Sequence, residues 1–403
     1  MLLVGLFFHH SADPVVLARF SKAYAWGLAA LVVATPAVFA LVGSLLSPTV
    51  VIRRDGIPVT IAPTSKVILF AASALFVFSL AQLLPRRLFP EHRRIAYLPH
   101  PTLQAVPAPA PADGVNARGF RGGDAVVPKP PGVTRVVLLG GSTTFDPALH
   151  FEDSYGERLR LELAALLPGR TVDVQCAAVP GYNSAHSLIR YATDAIDLDA
   201  DAVLVMHAVN DLYATIENHG AFRADYGHQR GLANARPGAF RDRTRLLDAL
   251  GFFSRYVLFS DFRTPPTLAV EGVVPDTRPM LRNLGEIVAL ARSRGQKPVL
   301  CTQPHRFRMD VPEAARRKGE MALRNFANGF PLPSFRWFAV QMPLLNEKTR
   351  ALAAADGVPL LDFEREIPPD GTLFQDEVHV NAAGALLEAR AAARFLTEQG
   401  VLR

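Results

Sequence analysis

The chain has 403 residues, 49% of them hydrophobic and 20% charged, with 43 Lys and Arg against 37 Asp and Glu for a formal net charge of +6. That apolar content excludes an intrinsically disordered chain, and two cysteines in such a length exclude a disulfide scaffold. Residues 1–113 hold nine basic and four acidic side chains, whereas the rest hold 34 and 33, so the excess does not mark a nucleic-acid-binding surface and no nucleic acid is expected as a partner.

The first predicted elements account for where the charge sits. Met1 to Phe8 is apolar but lacks the basic start of a signal peptide. Ala23 to Leu46 is a run of 24 residues without a charge, and Val67 to Leu84 is another of 18, interrupted only by Gln82. A helix crosses the hydrocarbon core with about 20 apolar residues, so both runs are expected to be transmembrane helices, at about 23–46 and 67–84. Tyr24 and Trp26 open the first run, where amphipathic rings favour the interface. Neither run has the polar face of a core helix. Residues 1–98 are therefore expected to be an anchor, with the lipid bilayer as partner and a multi-pass location in the membrane. Arg19 and Lys22 precede the first run, Arg53, Arg54 and Lys66 separate the two, and Arg86, Arg87, Arg93 and Arg94 follow. A hairpin with both ends in the cytoplasm puts six of these inside and three outside, which leans towards a cytoplasmic C-terminal domain. The connecting loop is itself basic, so the membrane face stays open.

Pro99 to Pro111 reads PHPTLQAVPAPAP, and residues 99–115 are expected to be an extended, semi-rigid linker. Beyond it, β-branched runs alternate with helical patterns. Strands are predicted at Val133–Leu139, Thr171–Cys176, Ala202–Met206, Pro298–Thr302 and Val358–Leu361, and helices over 154–167, 184–196, 279–295, 338–355 and 381–397. This alternation predicts an α/β domain over 116–403 with a parallel sheet covered on both faces. An insertion at about 213–278 interrupts the rhythm. Its second part, Leu246 to Phe262, reads as an amphipathic helix that packs on the core, caps a site or lies on the bilayer.

Ligands of parallel sheets bind at the carboxyl ends of the strands, so the residues there carry the functional argument. The first strand ends in Gly140-Gly141-Ser142-Thr143-Thr144, a sharp turn that is neither a dinucleotide fingerprint, nor a Walker loop, nor a Gly-x-Ser-x-Gly elbow. Val179-Pro180-Gly181-Tyr182-Asn183 follows the second, and His207-Ala208-Val209-Asn210-Asp211 the third. The last leads into Asp376-Glu377-Val378-His379.

In this order the four blocks resemble those of the SGNH (GDSL-type) serine hydrolases. The upstream Asn116-Ala117-Arg118-Gly119-Phe120-Arg121 and Pro128-Lys129-Pro130-Pro131 resemble the lead-in of membrane-attached bacterial members. The resemblance covers roughly 116–398. It departs from the family in reading Gly-Gly-Ser where Gly-Asp-Ser is usual, and in Ala208 where the third block usually has glycine. It implies a flavodoxin-like three-layer α/β/α fold and a location in the bacterial inner membrane. It also implies catalysis by Ser142 as nucleophile, His379 as base and acid, and Asp376 as orienting carboxylate. The implied oxyanion hole is the backbone N–H of Ser142, the backbone N–H of Gly181 and the side-chain amide of Asn210. A side chain at Gly181 is expected to crowd the acyl oxygen, and Asp211 is expected to cap the helix or loop behind Asn210.

The function implied is that of an ester hydrolase, an acyl- or acetylesterase or lipase-like enzyme, acting on a lipid or acylated glycan through an acyl-enzyme. An O-acetyltransferase acting on an envelope polysaccharide is the alternative, and a non-catalytic membrane-tethered binding module a further one. No cofactor or metal is expected, because His150, His186, His207, His228 and His305 lack a zinc-like spacing. His207 reads as structural, Cys176 and Cys301 as buried and inert, and Phe335, Arg336, Trp337 and Phe338 either as a lip on the pocket or as core.

Overall fold

The computed structural model describes residues 51–54, 57–60, 95–216, 222–229, 274–311, 313, 316, 319 and 333–402. The chain divides into two units, one of residues 1–91 with 242–264 and one of 92–241 with 265–403. In the first unit, β1 (Val51–Arg54) and β2 (Ile57–Thr60) pair as an antiparallel hairpin. The two expected transmembrane runs, 23–46 and 67–84, lie outside the described residues. Among those described, no helix is long and apolar enough to cross a membrane.

The second unit opens with an antiparallel pair, β3 (Tyr97–Pro99) and β4 (Ala105–Pro107). Its main sheet comprises β5 (Val133–Gly140), β6 (Thr171–Cys176), β7 (Ala202–Met206), β8 (Lys297–Cys301) and β9 (Leu360–Leu361). The spatial order is β6-β5-β7-β8-β9 and every pairing is parallel. This is the flavodoxin-like doubly wound order, with a topological switch beside the first strand of the sheet. The helices are α1 (Ser142–Phe145), α2 (Tyr155–Leu166), α3 (Ser184–Arg190), α4 (Val209–Ile216), α5 (Arg278–Ser293), α6 (Phe335–Asp356), α7 (Phe363–Glu366) and α8 (Ala382–Glu398).

Alternate side chains of the strands feed two cores, as the two-residue period of a strand demands. Val137, Leu139, Val203, Val205 and Leu300 pack on one face with Leu284, Ile287 and Val288 of α5 and Phe338, Met342 and Leu345 of α6. Val136, Leu138, Leu204, Met206 and Val299 pack on the other with Leu159 and Leu163 of α2 and Ala385, Ala389, Ala392 and Leu396 of α8. The small residues of α8 let it lie closely along α2.

The Pro-rich segment departs from expectation. It folds back on itself between β3 and β4, takes a 3-10 turn at Pro111–Asp113, and is docked rather than a free spacer. Leu103 is fully buried in a small cluster with Val179 and Tyr182, and the Tyr182 hydroxyl donates to the Ala105 carbonyl at 2.7 Å. An apolar anchor every few residues offsets the entropy that a spacer would retain. Helix α6 starts at Phe335, earlier than expected, because the Ser334 hydroxyl accepts from the Trp337 N–H and caps it. Phe335, Trp337 and Phe338 are buried in the core, which leaves Arg336 alone exposed and removes the lip reading. Cys176 and Cys301 are both free and buried, in strands that two others separate.

Candidate active site

Each of the four sequence blocks reaches the same edge of the sheet, at or beyond the carboxyl ends of its strands. Ser142 is the first residue of α1, immediately after β5. The turn that delivers it needs both glycines. A Cβ on Gly140 would collide with Thr144, and one on Gly141 with the Asn210 amide and the Tyr182 carbonyl.

His379 Nε2 lies 2.8 Å from Ser142 Oγ, although 236 residues separate them in sequence. Its Nδ1 lies 2.7 Å from Asp376 Oδ2. The other carboxylate oxygen, Oδ1, accepts from the N–H groups of Val378 and His379 at 2.9 and 2.8 Å, an Asx turn built by the same side chain. Asp376 thus shapes the loop and orients the ring. With an ionised Asp376 the proton sits on Nδ1, which leaves Nε2 to accept from the Ser142 hydroxyl.

The electrostatics agree with that assignment. Burial pushes the Asp376 pKa up, but the His379 charge, the His379 ring N–H and the two backbone N–H groups more than offset it, and the carboxyl stays below its usual range. Burial pulls the His379 pKa down, while Asp376 through charge and hydrogen bond, and Asp146 through charge, raise it above the ordinary imidazole value.

The three expected oxyanion donors come from three strand ends. Asn210, in the first turn of α4, donates from Nδ2 to the Tyr182 carbonyl at 2.8 Å, so its amide is tied to the residue after Gly181. Gly181 has φ +87°, and a Cβ there would meet nothing within 4 Å. The left-handed backbone itself favours glycine here, with no protein atom crowding the position, and the expected crowding of the acyl oxygen concerns a substrate atom. Ser142, Asn210, Asp376 and His379 are partly accessible and Gly181 is exposed, among largely buried neighbours.

Asp211 differs from expectation as well. Its carboxylate caps α3 rather than its own helix: it accepts from the Ser184 N–H at 3.1 Å and from the Ser184 and Tyr226 hydroxyls, each at 2.6 Å. Burial raises its pKa to about 6, with those donors opposing. Tyr226 comes from the described part of the insertion, as does Gln229, whose side-chain oxygen accepts from Asn183 Nδ2 at 2.6 Å. Leu246 to Phe262 lies outside the described residues. His207 is buried, bonded through Nε2 to Ser187 Oγ at 2.7 Å, and driven down to about 3 by burial and then His186. It belongs to the packing behind the site.

Two acids went unnoticed in the sequence. Asp146 ends α1 with φ 54°, and its carboxylate accepts from the Tyr155 N–H at 2.7 Å. Burial lifts its pKa to about 6. Glu388 is buried on α8, where burial and then the Asp146 charge push its carboxyl well above its usual range. The only local signal was an acid in an otherwise alanine-rich helical face. Among the described residues, no group of His, Cys, Asp and Glu side chains is placed to hold a metal ion.

An acid–base-linked hydroxyl, with an amide donor beside it, is an arrangement that can transfer an acyl group. Residues 138–387 match the family model described as the GDSL-like lipase/acylhydrolase family. No curated protein matches the sequence. Among solved structures, the chain is similar to a GDSL-like lipase from Bacteroides thetaiotaomicron at 14% identity, covering 66% of this chain and 87% of that one with a TM-score of 0.34. It is also similar to the acetyl xylan esterase AlAXEase, at 14% identity, 66% and 98% coverage and a TM-score of 0.39. A putative GDSL-like lipase from Parabacteroides merdae gives 11% identity, 67% and 96% coverage and a TM-score of 0.41.

Proposed function

Because the chain belongs to the GDSL-like lipase/acylhydrolase family, and is a hydrolase of ester bonds, we propose that it is a membrane-anchored serine esterase using Ser142, His379 and Asp376. The observation that carries this reading is the continuous relay from Ser142 Oγ to His379 Nε2 and from His379 Nδ1 to Asp376.

In the proposed mechanism His379 takes the Ser142 proton as Oγ attacks the ester carbon. The carbonyl oxygen becomes an oxyanion held by the N–H groups of Ser142 and Gly181 and by Asn210 Nδ2. One amide hydrogen of Asn210 is spent on the Tyr182 carbonyl, which fixes the plane of the group, and the second serves the oxyanion. The imidazolium, stabilised by Asp376, then gives its proton to the departing alcohol. Water attacks the acyl-Ser142 ester by the reverse sequence and releases the acid. No cofactor enters this scheme. The substrate is an acyl ester of a lipid or glycan, reached from a bilayer that the runs at 23–46 and 67–84 span.

Purified protein assayed on a chain-length series of p-nitrophenyl esters tests the chemistry. Wild type is expected to hydrolyse at least one member and Ser142→Ala to lose about 10³-fold or more in kcat. Equal rates for the two proteins would remove Ser142 from the mechanism.

A further inference from the structure

The lead-in around Asn116 and Arg121 is absorbed by no step of the proposed mechanism, yet both side chains make several hydrogen bonds, and of the Arg121 guanidinium nitrogens only the buried Nε lacks a partner. Asn116 Oδ1 accepts from the Arg118 and Phe120 N–H groups at 3.0 and 3.1 Å, and its Nδ2 donates to Gln175 Oε1 of β6 at 2.8 Å. Gly119 turns the loop with φ +69°. This delivers Arg121 to the free edge of the main sheet, where its N–H and carbonyl pair with Cys176 at 2.9 and 3.0 Å.

The Arg121 side chain then crosses to the segment that follows the nucleophile. It is buried, with 4% exposure. Nη1 donates to the Phe145 and Asp146 carbonyls at 2.5 and 2.7 Å, and Nη2 to the Leu149 carbonyl at 2.8 Å. The guanidinium carbon also lies 5.2 Å from the Phe145 ring centroid. The Asp146 N–H in turn donates to the Ser142 carbonyl at 2.9 Å, so the clamped turn closes directly on the nucleophile. Cys176 ends β6, and the chain runs from it into the Gly181 loop.

From these contacts we infer that Arg121 is a positioning residue that fixes the Ser142 turn relative to the Gly181 loop, through its guanidinium on one side and its backbone on the other. The inference rests on the proposed roles of Ser142 and Gly181. A buried guanidinium is an expensive way to fill space, since an apolar side chain of similar volume often serves stability as well. Its planar fork, however, can hold several carbonyls at set angles, which neither a methionine nor the single ammonium of a lysine reproduces.

The test compares Arg121→Met and Arg121→Lys with Arg135→Met in the full chain. Arg135 is an equally buried arginine at the opposite end of the sheet, bonded to Asp173 and to the Leu198 and Val126 carbonyls. At a temperature where each protein stays folded, both Arg121 variants are expected to lose about 100-fold in kcat, with KM within about threefold of wild type, as a misplaced nucleophile should. Arg135→Met is expected to lower the melting temperature and leave kcat unchanged. Hydrogen exchange over residues 142–149 and 176–183 reads the link without turnover. Exchange in both stretches should quicken in the Arg121 variants and not in Arg135→Met. Unchanged exchange there, with kcat within about threefold of wild type, would overturn the inference. If Arg121→Met does not fold, the lysine variant decides. A wild type inert towards esters and phosphonates would instead count against the esterase reading, and the exchange result would still decide the clamp.

Discussion

At the loop that carries Asp376 and His379 one carboxylate carries two tasks, because Asp376 spends Oδ1 on the backbone and Oδ2 on the His379 ring. In the proposed mechanism His379 must be neutral to accept the Ser142 proton, and its folded pKa lies above the ordinary 6.5. Activity is therefore expected to fall as pH drops through that raised value, placing the acid limb of kcat/KM above pH 6.5. Asp376→Asn removes the charge that opposes burial, so the limb should move to lower pH while kcat drops by about 10³–10⁴. A pH–rate profile of the two proteins checks both effects. Asp211 provides a separate check on stability. Its folded pKa of about 6, against an ordinary 3.8, means that its stabilising contribution is complete below pH 3.8 and is lost as pH rises through 6. The gap corresponds to about 3 kcal/mol. Denaturant titrations should thus show Asp211→Asn gaining on wild type between pH 4 and pH 7, by up to about that amount. A pH-independent difference would contradict the buried, reluctantly ionised carboxyl.

The elements around these residues were legible to different degrees. The stretch 136–139 and Ala202–Met206 announced themselves as unbroken apolar runs, because central parallel strands are buried on both faces. The set Ser142, Gly181, Asn210, Asp376 and His379 was legible only through the family resemblance of the four strand-end blocks taken in order. Arg121 and Asp211 were not. Their partners are main-chain carbonyls and a helix start 24 to 28 and 27 residues away, and side-chain bonds of that reach leave no periodic trace. The Pro-rich segment misled because its composition favours extended residues and reports neither the reversal that pairs β3 with β4 nor the docking of the segment. Leu103 is what docks it. Leu103→Ala is expected to cost about 2–5 kcal/mol if the segment unfolds with the domain. It should also lower kcat, because Tyr182 loses a packing partner beside Gly181 and Asn210. A thermal melt and an ester assay on that variant check the coupling, and a loss of neither would mean that the segment is an inert cover.

Taken whole, the molecule separates charge from chemistry: the basic excess of +5 sits in residues 1–113, and the catalytic part is nearly neutral. The proposed anchor explains that division, because basic residues flanking apolar spans meet anionic headgroups. The full chain is accordingly expected to stay with membranes through an alkaline carbonate wash, and its release into the supernatant would contradict two spanning helices. The central claim, that Ser142 is the nucleophile of an acyl-enzyme, is tested most directly by mapping the adduct of a fluorophosphonate. The expected result is one phosphonyl group per chain on Ser142, with hydrolysis lost in step with labelling and no label on Ser142→Ala. Full ester hydrolysis by protein labelled at Ser142, or an active wild type that takes the label elsewhere, would contradict it.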